Sequence, residues 1–440
     1  MLHKLKKAIP ETHPLRLLFH RSKAFTAALR YGFPARRLYV VGVTGTDGKT
    51  TTVGMLAHVL QKSGRETAAL STAFFQTGAD MRWNATQKTS PGPFAIQKFL
   101  RDAVKAGCTH AIVEYSSHGL LQGRTWFTWP KVAAITNLSE EHLDYHGTME
   151  EYMKAKKILF TMLKGKGTKV LNGDDRSYRD LIDVRSFRTV VTSASSKHGA
   201  IVVGTATLLW LEQETEDQET RTIVHVESGH KETERHPLSL QIPGGFNRMN
   251  ALTAMGCAIG CGVSPADALD ALATFPGIPG RMEKIDPSTS SGQALPFKVY
   301  VDFTVTPQSY ESTLSALKAE CQGRLLVLAG SCGDRMKEKR PLVGKIVSEY
   351  ADVAVIANED PYTEDPRAII DDVWNGMDHS KVEAHKIFDR REAIAFLLKE
   401  AKLGDTVVFC GKGSDTTMWL ADGKVPWNER QIVRDLLKNA

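Results

Sequence analysis

The segment Tyr39-Val-Val-Gly-Val-Thr-Gly-Thr-Asp-Gly-Lys-Thr-Thr-Thr52 constrains this chain more than any other. An apolar, β-prone run enters a loop carrying Gly42, Gly45 and Gly48, and the chain leaves through residues 50–63, where apolar side chains recur at helical spacing. A strand that turns through glycines into a helix aims backbone N–H groups at an anion, at the positive end of the helix dipole. Lys49 would then reach the outer phosphates of a nucleotide, and the Thr50 hydroxyl would ligate magnesium. The strict phosphate-loop pattern wants glycine where Val43 stands, so the match is one position short. A plain glycine turn is the alternative, and the Gly-Lys-Thr ending in a strand-to-helix context weighs against it.

Around this loop, short apolar runs at 38–43, 111–114 and 132–136 alternate with amphipathic stretches. That rhythm predicts a mainly parallel sheet covered by helices, with ligands at the carboxyl ends of its strands. Residues 168–243 change texture: Thr/Val-rich segments at 189–193, 201–211 and 222–226 lie between polar turns, as in an antiparallel excursion. Gly244-Gly245 closes it and 250–260 reads as a small-residue helix. Phe275-Pro-Gly-Ile-Pro-Gly280 cannot continue a helix and marks a boundary, followed by a Ser/Thr/Gly-rich loop at 287–292. Beyond it, strands at 298–302, 324–330, 353–357 and 406–410 alternate with helices. The expected fold is α/β: a central phosphate-loop ATPase domain with a parallel sheet (39–278), then a smaller Rossmann-like C-terminal domain (279–440). A short basic segment (1–38) precedes both.

The 440 residues exceed what one core usually holds, in keeping with two domains. No apolar run approaches the roughly 20 residues that span a bilayer. The six cysteines form no CxxC pair, which points to reduced thiols and a cytoplasmic protein; Cys257 and Cys261 read as core packing. The net charge of +6 is concentrated in residues 1–37, where nine Lys/Arg face the single Glu11. A solvated basic helix pair packed on the next domain is the plain reading there, and contact with an anionic ligand or membrane surface is the other. With no aromatic-basic stripe, no nucleic-acid partner is expected.

Two further clusters carry chemistry. Ile112-Val-Glu-Tyr-Ser-Ser-His118 ends an apolar strand in Glu114, suited to the magnesium of a bound nucleotide or equally to a strand-end charge in water. Thr136-Asn-Leu-Ser-Glu-Glu-His-Leu-Asp-Tyr-His-Gly147 packs two histidines and three acids behind another strand. It leads into a helix with Glu150, Glu151, Lys154, Lys156 and Lys157, which by charge pattern is a solvated face.

These motifs, with Ala155-Lys-Lys-Ile-Leu-Phe160, stand in the order found in the Mur ligases, and from 39 to 435 the chain most resembles the UDP-N-acetylmuramoyl-tripeptide synthetases. The resemblance implies an ATP-dependent ligase that activates a D-glutamyl carboxylate as an acyl phosphate and joins it to an amine. The implied acceptor is a UDP-MurNAc-dipeptide, the other substrate a free amino acid, the cofactors ATP and Mg2+, and the state a monomer. Lys49, Thr50, Glu114 and His142 would organise ATP and magnesium, and Lys156 would be carbamylated into a magnesium ligand. Gly45, Thr46, Asp47, Gly48 and Thr51 would join the nucleotide site, as would Asn247 and Asn250 of Gly244-Gly-Phe-Asn-Arg-Met-Asn250, and Asp302. Arg281, in Gly277-Ile-Pro-Gly-Arg-Met-Glu283, would face ATP during phosphoryl transfer. Thr89, Ser90, Ser116, Gln122 and Arg124 match positions that hold the muramoyl peptide, and Arg335 the position contacting the amino acid's carboxylate.

Several positions depart from the family pattern. Val305 replaces a histidine, and Gly411-Lys-Gly-Ser-Asp415 ends in Ser414-Asp415 where His-Glu is usual, leaving Asp415 as a shorter acid able to meet an ammonium. Glu359-Asp-Pro-Tyr362 stands where enzymes selecting meso-diaminopimelate carry Asp-Asn-Pro-Arg. Without that arginine, a distal carboxylate would be buried unpaired, which favours lysine or ornithine over diaminopimelate. Only 38 residues precede Tyr39, whereas typical members carry a uridine-binding domain there. A folylpolyglutamate-synthetase-like ligase on another acceptor, or an ATP-binding partner subunit with reduced activity, are the competing readings.

Overall fold

The computed structural model describes residues 13–84, 86, 88–195, 206–216, 219–228, 232–286 and 295–438. The start of the basic segment (1–12), the first half of the strand expected at 201–211 and the 287–292 loop lie outside these residues. The described chain forms two compact units, one built mainly from residues before Phe275 and one mainly from Pro276 onward.

The first unit holds an 11-stranded sheet in the order β11-β10-β9-β8-β7-β6-β1-β5-β2-β3-β4. Its strands are β1 (Tyr39–Thr44), β2 (Thr67–Leu70), β3 (Phe74–Thr77), β4 (Asp80–Trp83), β5 (His110–Glu114) and β6 (Val132–Ile135), then β7 (Thr168–Asn172), β8 (Arg188–Ser193), β9 (Thr207–Glu216), β10 (Glu219–Ser228) and β11 (Glu234–Leu238). The central strand β1 is parallel to both β5 and β6, and Val40, Val41, Ala111, Ile112, Ala133 and Ala134 are fully buried. A strand covered on both faces needs such continuous apolar runs.

The antiparallel excursion is shorter than its composition implies. β7 runs parallel to β6, β8 to β7 and β9 to β8; the direction reverses only at the β9–β10–β11 meander. Thr/Val richness reports a half-covered pleat and carries no strand direction. At the opposite edge β2, β3 and β4 form a second antiparallel meander that the sequence reading did not anticipate.

Among the helices, α1 (Pro14–Arg30), α2 (Lys49–Lys62), α3 (Pro93–Lys105), α4 (Met149–Thr161) and α5 (Gly245–Gly260) frame the first unit. Helix α5 begins earlier than expected, at Gly245. The second unit holds a sheet in the order β12-β13-β17-β14-β15-β16, parallel except for β12. Its members are β12 (Glu283–Lys284), β13 (Lys298–Asp302), β14 (Leu325–Ala329), β15 (Val353–Ile356), β16 (Glu383–Lys386) and β17 (Thr406–Cys410), with a separate hairpin of β18 (Thr417–Leu420) and β19 (Gly423–Pro426). Both units are thus α/β, with the larger one parallel at its centre.

Candidate active site

In the first unit β1 delivers the chain into the loop Gly45–Gly48, and α2 starts at Lys49. Gly45 and Gly48 have φ of 144° and 78°, a region that L side chains avoid. Space is equally strict: a Cβ on Gly45 would sit 1.9 Å from Thr136 Oγ1, and one on Gly48 2.2 Å from Asn250 Oδ1. Asn137, at the carboxyl end of the neighbouring strand, accepts the N–H of Thr46 on its carbonyl and that of Asp47 on its side chain, both at 2.9 Å. The first bond within α2 is Thr52 N–H to Gly48 O, so the N–H groups of Lys49, Thr50 and Thr51 precede it and face the loop opening. Lys49 folds back, donating to Thr46 O at 2.6 Å.

Glu114 lies beside Val43 in the β1–β5 register and is buried. Thr50 Oγ1 donates to its Oε2 at 2.9 Å, and Thr72 reaches it through its N–H at 2.7 Å and its Oγ1 at 2.9 Å. Among the described residues these donors to the buried carboxylate are neutral, an incomplete charge balance that a cation would complete. The described residues contain no cluster of three His, Cys, Asp or Glu suited to a metal. The donor set of one carboxylate and one hydroxyl fits magnesium, which takes its remaining oxygens from phosphates and water.

Helix α4 is capped by Thr148 Oγ1, which accepts the Glu151 N–H at 3.2 Å. Lys154 lies in solvent, paired with Glu150 and Glu151. Lys156, two positions on, turns inward and is 1% exposed, which overturns the solvated reading of the whole helix face. Its Nζ donates to Gly45 O at 2.5 Å and lies 4.2 Å from the Tyr152 ring centre. Burial, and then the charge of Lys49, hold its pKa well below the ordinary lysine value. Burial thus disfavours the charged form of this amine, which sits against the phosphate loop.

The positions matched to the acceptor join this network. Thr89 Oγ1 lies 2.8 Å from Thr72 Oγ1, Ser90 Oγ accepts the Ser116 N–H at 3.0 Å, and Arg124 bridges Ser90 O at 3.0 Å and Gln122 Oε1 at 2.7 Å. Asn247 and Asn250 are buried on α5 and joined by a 3.0 Å bond. The sequence reading missed Thr72, Asn137 and Tyr152, three residues that hold the others; only their positions after strand ends or one helical turn before Lys156 hinted at them.

His142, Arg281 and Asp302 belong to the second unit. His142 takes φ of 58° in a turn, and Arg281 stacks over Phe303 at 4.1 Å. Asp302 accepts Met282 N–H at 2.7 Å and also bonds Thr304. At the carboxyl ends of that unit's strands, the buried Lys412 pairs with Asp360 at 2.9 Å and Asp415 at 3.0 Å. Glu359 accepts Cys332 Sγ at 3.1 Å through Oε1, while its buried Oε2 has no hydrogen-bond partner among the described residues. Burial raises its pKa above the usual carboxylate range. Gly411, with φ of 109°, lets the backbone pass: a Cβ there would lie 2.4 Å from that Oε2. Tyr362 (φ 52°) stacks on Trp419 at 5.4 Å, and the Arg335 guanidinium lies 5.3 Å from the Tyr362 ring. Arg390, by contrast, is tied to Glu429 by two 2.7 Å bonds, a structural pair.

Residues 43–258 match the Mur ligase middle domain and 280–413 the Mur ligase glutamate ligase domain. Over 420 residues the chain is 36% identical to the UDP-N-acetylmuramoyl-L-alanyl-D-glutamate--2,6-diaminopimelate ligase of Synechocystis sp., covering 93% of this chain and 78% of that protein. The chain belongs to the Mur ligase family. It is 33% identical to the UDP-N-acetylmuramyl-tripeptide synthetase of Roseiflexus sp., with 93% and 81% covered. A solved diaminopimelate ligase structure superposes with a TM-score of 0.59 at 27% identity, over 91% of this chain and 78% of that one. This Mur ligase is an ATP-dependent amide ligase, and none of its described helices is long and apolar enough to cross a membrane.

Proposed function

We propose that this Mur ligase works in the cytoplasm, extending UDP-MurNAc-L-alanyl-D-glutamate by one diamino acid during peptidoglycan precursor synthesis. The observation that carries the reading is the convergence of three groups on one phosphate loop: the N–H groups at the start of α2, the buried Glu114 and the buried Lys156. ATP with magnesium supplies the phosphoryl group that activates the acceptor's carboxylate. Thr50 and Glu114 would hold the metal, and Lys49 would neutralise phosphate charge. Burial favours the uncharged form of Lys156 Nζ; that form would add to carbon dioxide and lose a proton to solvent, and the carbamate would offer magnesium a hard, negatively charged oxygen. Ser90, Ser116, Gln122 and Arg124 orient the acceptor.

The second unit receives the incoming amino acid, with Arg335 on its α-carboxylate. Asp360 and Asp415 flank the buried Lys412, and Glu359 adds a third acid to that neighbourhood. Tyr362 offers no cation to a second carboxylate. The pocket therefore suits the distal ammonium of lysine or ornithine better than meso-diaminopimelate, although relatives are named for the latter.

The test is ATP-dependent phosphate release with UDP-MurNAc-L-Ala-D-Glu and a panel of amino acids. Release with lysine or ornithine and not with diaminopimelate is expected, with Tyr362→Arg shifting preference toward diaminopimelate about tenfold or more. A wild-type preference for diaminopimelate refutes the pocket reading, and no release with any pair refutes the function.

A further inference from the structure

Helix α1 is built inside out. Its small residues Ala24, Ala27 and Ala28 are buried, and α1 packs against α3, whereas Leu15, Leu18, Phe19, Phe25 and Leu29 are between 49 and 67% exposed. At 100° per residue these five fall within an arc of about 120° on one side of the helix. Lys23 and Arg30 lie along one margin of that arc and Arg21 along the other. The Lys23 ammonium sits 5.2 Å from the Phe19 ring, and the Arg21 guanidinium 4.7 Å from that of Trp126. No acidic residue occurs between Glu11 and Asp47.

From this we propose that the outer face of α1 is a docking surface for an anionic lipid bilayer. Long apolar side chains on the face would enter the acyl boundary, while basic side chains at both margins extend their stems along it and place their charges at the headgroups. The charge decides the occupant: a segment with basic margins and no carboxylate complements an anionic plane on both sides at once. The ligase would then be a peripheral protein of the membrane surface.

The full chain is sedimented with phosphatidylcholine vesicles, with and without phosphatidylglycerol. Binding should need phosphatidylglycerol, weaken with salt, and fall about tenfold in Leu18→Glu/Phe19→Glu and in Lys23→Glu/Arg30→Glu. Far-ultraviolet circular dichroism and ATP binding should match the wild type, and hydrogen exchange across Pro14–Arg30 should slow only with anionic vesicles. The milder Leu15→Ser/Leu18→Ser serves if the double-glutamate variant does not fold. Absence of vesicle binding, equal binding to both vesicle types, or binding that survives these substitutions overturns the proposal. So does a self-association abolished by Leu18→Glu/Phe19→Glu without vesicle binding, which would give the face to a second copy or another protein.

Discussion

Lys156 of the first unit and Lys412 of the second are both 1% exposed, yet they sit in opposite electrostatic worlds. Lys156 meets a carbonyl, an aromatic ring and the nearby charge of Lys49, and its pKa is driven far down. Burial works to lower Lys412 as well, but the charges of Asp415 and Asp360 outweigh it and its pKa lies above the ordinary value. Similar burial thus shifts the two amines in opposite directions, and the neighbours decide which.

The largest effect should come from Lys156→Met, with ligase turnover falling about a thousandfold, as for loss of a preorganised charge-stabilising group. Its stability should behave in the opposite sense. Because the folded pKa is lowered, the unfolded chain holds the extra proton between that pKa and about 10.5, and wild-type stability rises with pH across this window. Urea titrations should therefore show Lys156→Met at least as stable as wild type at pH 7, with the difference shrinking toward alkaline pH. A large destabilisation would make Lys156 a structural cation and erase the contrast.

Lys412→Met should cost about 3 kcal/mol of folding stability, since Asp360 and Asp415 would be left buried without their cation. Adding Asp360→Asn should recover part of the loss in a double-mutant cycle.

A smaller effect sharpens the same contrast at a pair nearer the surface. The hydrogen bond from Arg340 holds Glu364 down to about 2, with Asp334 N–H and Lys337 adding to it. A lowered carboxyl pKa contributes stability that is complete above the unfolded value near 4.5 and fades as pH falls through about 2. Glu364→Gln should lose about 1 kcal/mol at pH 7, because solvent screens much of the interaction, and nothing near pH 2.

How much of this was legible follows from how local each signal is. The phosphate loop was read directly because glycine positions, strand and helix start lie within 14 residues, Tyr39 to Thr52. The parallel centre of the first sheet was equally clear from its apolar runs. Strand direction after Thr168 was not, since a Thr/Val-rich strand carries no mark of which way its neighbour runs. The inward turn of Lys156 was hidden by Lys154 and Lys157 on either side, which make the same residue type look solvated. Thr72 escaped notice because its role depends on Glu114, 42 residues away. In the second unit the tyrosine at 362 was visible as a departure, but the Trp419 stack beneath it and the unpartnered Glu359 oxygen are tertiary facts.

The 11-stranded sheet ends at β4 and β11, and each end is poorly suited to accept another strand. β11 carries Pro237, which lacks an N–H, beside Glu234 and Arg235; β4 is four residues long and presents Asp80 and Arg82. Short, charged or proline-bearing margins deny a neighbouring polypeptide the ladder it would need for edge-to-edge growth. So broad a sheet therefore offers little at either margin for the strand of a second molecule to pair with.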